Sequence, residues 1–370
     1  LHTLRNVSGG SGEQHTVATF NCEYPEDYRL TGDDSSNLAK INHVESLVAA
    51  AQVCAPLEPL FDLSVCGVTD RPVRDSLSRF SADRGGVRLY SAPTLGTGDV
   101  GLWDPNNPAQ KTCADADCAA PKEIMLDAIW ACVNFSNFTN RFFPEVVKAN
   151  TELSMINHAR FAEQNLLKGI NAASTKVTLD ASATTGGGKG AGFARSLLHT
   201  VRVAVAGMRR RLRLAPNTKM RIILPEWVMD AMIADLALQM PGDGLEVLAL
   251  AEAKITNFFT AGGINVTWAL DEVDTAGAPV TPQAQTAGTL QSFPTSIDFP
   301  LFPEGTFLFL DGGTLDLGTV RDTDSLKANE YTTFVETFEG IAKTGCDSLW
   351  ITASNLCTSG AAAALVDTSC

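Results

Sequence analysis

"PEVVKANTELSMINHARFAEQNLLKGI" (Pro144–Ile170) is the stretch on which the fold turns. Ala149, Leu153, Ile156, Ala159, Ala162, Leu166 and Ile170 recur at intervals of three and four, which lays them along one face of an α-helix. Pro144 suits the first helical position, where a missing N–H costs nothing, and Gly169 stands where a C-terminal cap belongs. The spacing predicts a helix roughly 40 Å long at ~1.5 Å per residue. That length is unusual in a small enzyme domain and natural for a spine. His158, in the same stretch, reads as a packing or capping residue and not as a base.

Outward from this helix toward the N-terminus, "KEIMLDAIWACVNFSNFTNRFF" is apolar and strand-like. Residues 67–122 differ: six glycines, five prolines, five arginines and seven aspartates break any helical period. A compact domain rarely keeps so long an irregular loop, so the segment reads as disordered, or as an extended hairpin whose partner is another molecule. Its mixed charge suits polar intermolecular contacts better than a private core. "NLAKINHVESLVAAAQVC" (Asn37–Cys54) is a short amphipathic helix, and residues 1–37 are a polar arm.

Toward the C-terminus, strands and helices alternate. "GFARSLLHTVRVAVAGMRRRLRL" is a helix; "KMRIILPEWVMDAMIADLALQ" is a strand followed by a helix opened by Pro225; "GLEVLALAEAKITNFF" is helical; "INVTWALDEV" is a strand. This pattern marks a separate α/β lobe. "GTFLFLDGGTLDLGTV" and "NEYTTFVETFEGIAKTGCDSLWIT" are strands that follow it. In the second, Phe334, Glu336 and Phe338 share one face and Val335, Thr337 and Glu339 the other. A charge on each face argues against burial of both, and predicts that Glu336 and Glu339 pair with arginines of a neighbouring subunit.

Chemistry is hard to place on this chain. "ATTGGGKGAGFAR" (Ala183–Arg195) suggests a phosphate loop, but Ala183 stands at the first glycine position and Gly190 where a hydroxyl must bind magnesium. It reads as a glycine-rich loop. "GTGDVG" (Gly96–Gly101) precedes Pro105 and Pro108, which cannot form the helix a dinucleotide needs. "DADCAAPKEIML" has Ala120 where a calcium loop requires glycine. The nine cysteines include no zinc-like spacing, so mostly free thiols are expected; Cys113 and Cys118 could bridge to each other or to another chain. A net charge of −14 argues against tight general nucleic-acid binding, and the cluster "MRRRLRL" (Met208–Leu214) reads first as a helix C-terminus. No apolar run reaches the 18 residues of a membrane span.

The order of parts resembles the major capsid protein of tailed bacteriophages. "RIILPEWVMDAMIADL" and "FPEGTFLFLDGGTLDLGTVRDTDSLKANEYTTFVETFEGIAKTGCDSLWIT" carry the resemblance most specifically, the latter looking like capsid proteins of phages that infect actinobacteria. It implies an α+β capsid fold: an N-terminal arm (1–37), an extended loop over an adjacent subunit (67–122), and an α/β axial domain (173–298). A peripheral domain would collect 38–66, 123–172 with the spine helix, and 299–352, leaving 353–370 as a tail.

By the same resemblance the chain is a structural protein and not an enzyme, with no cofactor or metal. It self-assembles as pentamers and hexamers into an icosahedral head, built in the host cytoplasm and located in the virion. The shell holds double-stranded DNA by enclosure and not by specific binding, and touches no membrane. A scaffold segment, maturation protease, portal and cement protein are possible partners. Leu1 would then be a protease-generated terminus, a trimmed sequence being the competing reading. The inter-subunit candidates are Arg71, Arg74, Arg79, Arg84, Arg88, Trp103, Cys113, Cys118, Glu336 and Glu339. Lys111 and Lys122 are the lysines available for a loop cross-link, but no partner can be assigned. The alternatives are the shell of an encapsulin-type nanocompartment and an α/β enzyme.

Overall fold

The computed structural model describes residues 5–8, 14–17, 63–90, 100–106, 108, 111, 113, 120–180, 192–239, 252–281, 292–345 and 347–356. The chain divides into two units, Leu1–Ser64 and Val65–Cys370. In the first, β1 (Arg5–Ser8) and β2 (Gln14–Val17) pair antiparallel, with Arg5 opposite Val17. The helix expected over Asn37–Cys54 lies outside the described residues, as do Ala183–Ala191 of the glycine loop and Gly96–Asp99 of the "GTGDVG" match.

The second unit is built on two sheets. The larger has the order β7-β13-β10-β8-β9, from β7 (Thr175–Asp180), β8 (Met220–Pro225), β9 (Ile264–Ala269), β10 (Ile297–Pro303) and β13 (Leu349–Ser354). Successive side chains of a strand point to opposite faces, and here both faces are apolar. Phe299, Leu301, Ile351, Ile222 and Leu224 enter one core beneath three helices, α4 (Gly192–Leu212), α5 (Trp227–Gln239) and α6 (Glu252–Thr260). Phe302, Trp350 and Ile223 enter a second core on the other face. Each fully buried side chain of this size contributes ~1.5–3 kcal/mol, so the sheet is held from both sides by its own chain. Pro225 closes β8 instead of opening α5, which begins at Trp227; a terminal strand position tolerates proline's missing donor.

The second core is roofed by α3 (Pro144–Ala172), the long helix predicted from its periodicity. Ile156, Ala159, Ala162, Leu166 and Ile170 are buried as expected, whereas Leu153 is exposed and Ala149 only half-buried. Gly169 is not the cap. It lies inside the helix, where a Cβ would come within 2.4 Å of Ile341 Cγ2, so the glycine allows close approach of helix and strand. His158 is buried, with Nε2 at 3.0 Å from the Ile129 carbonyl oxygen and 3.3 Å from Thr337 Oγ1. That is the packing role its position predicted.

The smaller sheet has the order β3-β11-β12-β6, from β3 (Ser78–Ser81), β6 (Asp127–Ser136), β11 (Phe307–Val320) and β12 (Glu330–Lys343). Its inner face meets α3. Its outer face is covered at one end by Val87, Ile124 and Leu126 over Leu310, Ala342 and Ala82. The segment 299–352, expected to return whole to the spine-helix domain, is divided: β10 and β13 belong to the larger sheet, β11 and β12 to the smaller. All four strands carry several buried apolar residues, so their composition alone does not distinguish the sheets.

Candidate subunit-contact surface

The segment 67–122 has two parts with different physics. Its beginning folds into the chain's own core. Pro72 starts the short helix α1 (Pro72–Ser76), Val73 and Leu77 are buried, and β3 adds in parallel to β11. The expectation that this whole stretch lacks a private core is therefore corrected for its first dozen residues, whose spaced apolar side chains reach the second core. The rest is a hairpin. β4 (Gly86–Leu89) and β5 (Lys122–Met125) pair antiparallel, and residues 90–121 lie between them. Gly86 sits where a Cβ would come within 2.5 Å of the Ile124 carbonyl oxygen, so close strand approach requires the glycine.

A buried charge cluster anchors the α1 segment that leads into this hairpin. Arg71 forms a two-pronged pair with Glu339 of β12, its Nη2 at 2.7 Å from Oε2, and its Nε donates to Glu163 Oε1 of α3 at 3.2 Å. Glu163 also accepts the backbone N–H of Val73 at 2.7 Å and of Arg74 at 3.2 Å. One guanidinium thus ties three elements distant in sequence, and all three side chains are buried. Burial pushes the Glu163 carboxyl above its ordinary value, against the pull of Arg71 and the two N–H donors. For Arg71, burial opposes the charge, and the bonds to Glu339 and Glu163 overcome it to hold the guanidinium above its usual value. Next to the cluster a cleft of about 340 Å³ opens between Arg74 and Arg79.

The sequence alone places Arg71 and Glu339 against neighbouring subunits; the structure instead satisfies them against each other. The reason is local: β12 buries its Val335–Glu339 face, and a carboxylate there must be neutralised within the chain. Glu336, on the other face, is half-buried opposite Trp130 of β6. Arg74 pairs with adjacent Asp75 at 3.0 Å, Arg79 pairs with Asp311, and Arg88 pairs across the hairpin with Glu123 at 2.9 Å. The Arg74 and Arg88 pairs are exposed on both sides and worth ~0–1 kcal/mol each, and the Arg79 guanidinium is itself exposed although Asp311 is not, so these arginines stay available to a partner. Arg84 is exposed at the turn after β3. Trp103 is 47% exposed, with Lys111 Nζ at 5.9 Å from its ring centre. Cys113 is an exposed free thiol, and Cys118 lies outside the described residues.

Sequence reasoning missed the exposed apolar surface. Trp130 is 66% exposed on the outer face of β6, beside exposed Cys132. At the far end of the same strand, α2 (Asn137–Phe142) presents Phe138 and Phe142 stacked 6.3 Å apart and outward. Leu326 of α7 (Thr323–Ala328) is exposed at that end too, where Asn137 N–H donates to the Asn329 carbonyl oxygen at 2.9 Å. Leu102 in the hairpin is 97% exposed. The sequence carried little signal for it: Ala128–Val133 of "DAIWACVNF" is an unbroken apolar run, and only the strand's pleat sets Trp130 outward beside buried Ile129. Among the described residues, no group of three or more His, Cys, Asp or Glu is placed to hold a metal ion, and no helix is long and apolar enough to cross a membrane.

Comparison with known proteins supplies the frame for these features. No family model and no curated sequence matches the chain. Solved structures do. The chain is similar to the asymmetric unit of the bacteriophage PhiM1 mature capsid, with a TM-score of 0.51 and 14% identity over 90% of this chain and 99% of that one. A structure from Mycobacterium phage Ogopogo matches with a TM-score of 0.52 and 14% identity, covering 83% of this chain and 99% of the other. The likeness to the PhiM1 chain runs almost end to end, and the chain has the α+β fold of the phage capsid proteins.

Proposed function

We infer that copies of this chain assemble into the closed shell of a phage head. The observation that carries the reading is the end-to-end likeness to a mature capsid chain, in a molecule that leaves Trp130, Phe138, Phe142 and Leu102 in water. Exposed apolar groups of this size mark interaction sites. Subunits form pentamers and hexamers, and each interface buries an obligate-sized ~2,000–5,000 Å². The hairpin between β4 and β5 reaches over a neighbour, with Arg84, Arg88, Trp103 and Cys113 as contact residues. The chain acts mechanically and not as an enzyme. DNA is retained by enclosure, the shell is built in the host cytoplasm, and portal, protease and cement protein are its expected partners.

Light scattering with negative-stain imaging of the purified full chain tests this. Megadalton hollow particles, or discrete pentamers and hexamers, are expected; a stable monomer under assembly conditions overturns it. Nuclease-protected DNA in particles from infected cells separates a phage head from a nanocompartment, which would hold protein cargo instead.

A further inference from the structure

Helix α4 carries five arginines and no carboxylate in a chain of net charge −14. Two of the five have structural duties at the helix end. Arg209 donates to the Thr218 carbonyl oxygen at 2.9 Å, and Arg211 pairs with Asp347. A closing turn follows, with Arg213 at φ 51° and Leu214 N–H donating to the Arg209 carbonyl oxygen at 3.0 Å. Arg195, Arg202 and Arg210 are different. With His199 and Ala206 they recur at intervals of four, three, four and four, a stripe within about 80° of arc and about 22 Å long. All five positions are exposed. Arg202 reaches the Phe258 carbonyl oxygen at 3.3 Å, but among the described residues no carboxylate lies within ion-pairing distance of any of the three arginines.

The opposite side of the same sheet has the opposite sign. Lys176, Thr178 and Asp180 of β7 align with Trp350, Thr352 and Ser354 of β13, and Thr352 aligns with Asp298 of β10, all on the face turned away from α4. Asp274 stands near Asp298, both close enough to Lys176 to favour its charge. Asp274 and Asp298 therefore face one ammonium, and exposed Asp180, which accepts from Asn355 Nδ2 at 2.7 Å, adds a third carboxylate at the end of β7, an edge strand of the sheet.

We propose that the arginine stripe on α4 of one copy docks against the acidic β7 side of the next copy, so that the larger sheets follow head to tail around a ring. Two unlike faces on opposite sides of one body make a heterologous contact, which closes into a ring when the rotation allows. A nucleic acid would use the basic side alone and be repelled by the other. A second copy uses both. The small side chain of Ala206 at mid-stripe leaves room for close approach. The proposal rests on the shell reading and adds to it the faces that meet and their direction.

The test uses the full chain and reads assembly by light scattering and particle counts. Arg195→Glu with Arg210→Glu makes both faces acidic; Asp180→Lys with Asp274→Lys makes both basic. Each double variant should need on the order of 100-fold more protein to assemble, the scale of like-charge juxtaposition at an interface. Circular dichroism should show each still folded. Mixed in equal amounts, the two should recover six-membered rings, where acidic and basic copies alternate, but not five-membered ones. The inference is overturned if the stripe-reversed chain assembles like wild type, or if it loses only binding to a duplex DNA probe. It is equally overturned if the mixture stays unassembled. A wild-type chain that never assembles takes the shell reading down with it.

Discussion

The two sheets of Val65–Cys370 solve the same problem differently. The five-stranded sheet buries both faces of its central strands with its own helices and leaves the outer side of edge strand β7 open, so Phe299 and Leu301 on one side and Trp350 and Phe302 on the other are all out of water. The four-stranded sheet buries one face on α3 and leaves part of the other open, with Trp130 at its edge. The first is complete as a single chain. The second is completed, in the proposed shell, by another copy. A substitution in the buried core of the first should therefore register in the stability of the isolated chain, and one on the open face of the second in assembly.

The largest loss of chain stability is expected in the closed sheet. Phe299→Ala removes a fully buried ring from β10 and leaves a cavity, and should cost about 3–5 kcal/mol in denaturant unfolding. An effect below about 1 kcal/mol would mean that the core under α4 can collapse around the gap, and the contrast between sheets would weaken.

Next in size is the seam between helix and sheet. Gly169→Ala places a methyl carbon against Ile341, and overpacking of this kind costs about 1–3 kcal/mol. Ile341→Ala in the same chain should return part of that loss. If the two changes simply add, the close approach of α3 to β12 is not what the glycine permits.

Glu163 offers a smaller effect with a sign. Glu163→Gln keeps the shape and one acceptor for the N–H groups of Val73 and Arg74, and should cost about 1 kcal/mol at low pH. Because burial raises the carboxyl in the folded chain, the unfolded chain loses its proton first as pH rises. The stabilising contribution is thus complete below the ordinary glutamate value and declines from there through the raised one. The advantage of wild type over the glutamine variant should shrink across that window; a widening gap would reverse the assignment.

What could be read in advance follows the range of the interactions. The long helix, the hairpin and the α/β alternation are local patterns, visible in periodicity and in glycine and proline placement. The triad was not legible, because Arg71 meets Glu163 and Glu339 across 92 and 268 residues, and nothing nearby marks any of the three as paired. Gly169 looked like a cap because a glycine near a helix end has that local meaning; its real neighbour, Ile341, is set by tertiary packing. The arginines of α4 looked like dipole compensation. Two of them have such end-of-helix duties, and the remainder became distinct only once the partners of Arg209 and Arg211 were known.

Trp130 is the sharpest probe of the open face. On the isolated chain Trp130→Ala should change stability by no more than about 0.5 kcal/mol, as for surface positions without special contacts. In assembly an aromatic anchor of this kind carries about 2 kcal/mol or more once buried by a partner, so the concentration needed for particles should rise by more than tenfold. Neighbouring Thr332→Ala, which removes a hydroxyl bonded to Asn134 at 2.6 Å, is the control and should leave assembly near wild type. If Trp130→Ala unfolds the chain, the outer face serves the chain's own core. If it changes neither stability nor assembly, the open half of the smaller sheet is solvent-facing in the particle as well, and the difference between the sheets concerns folding alone.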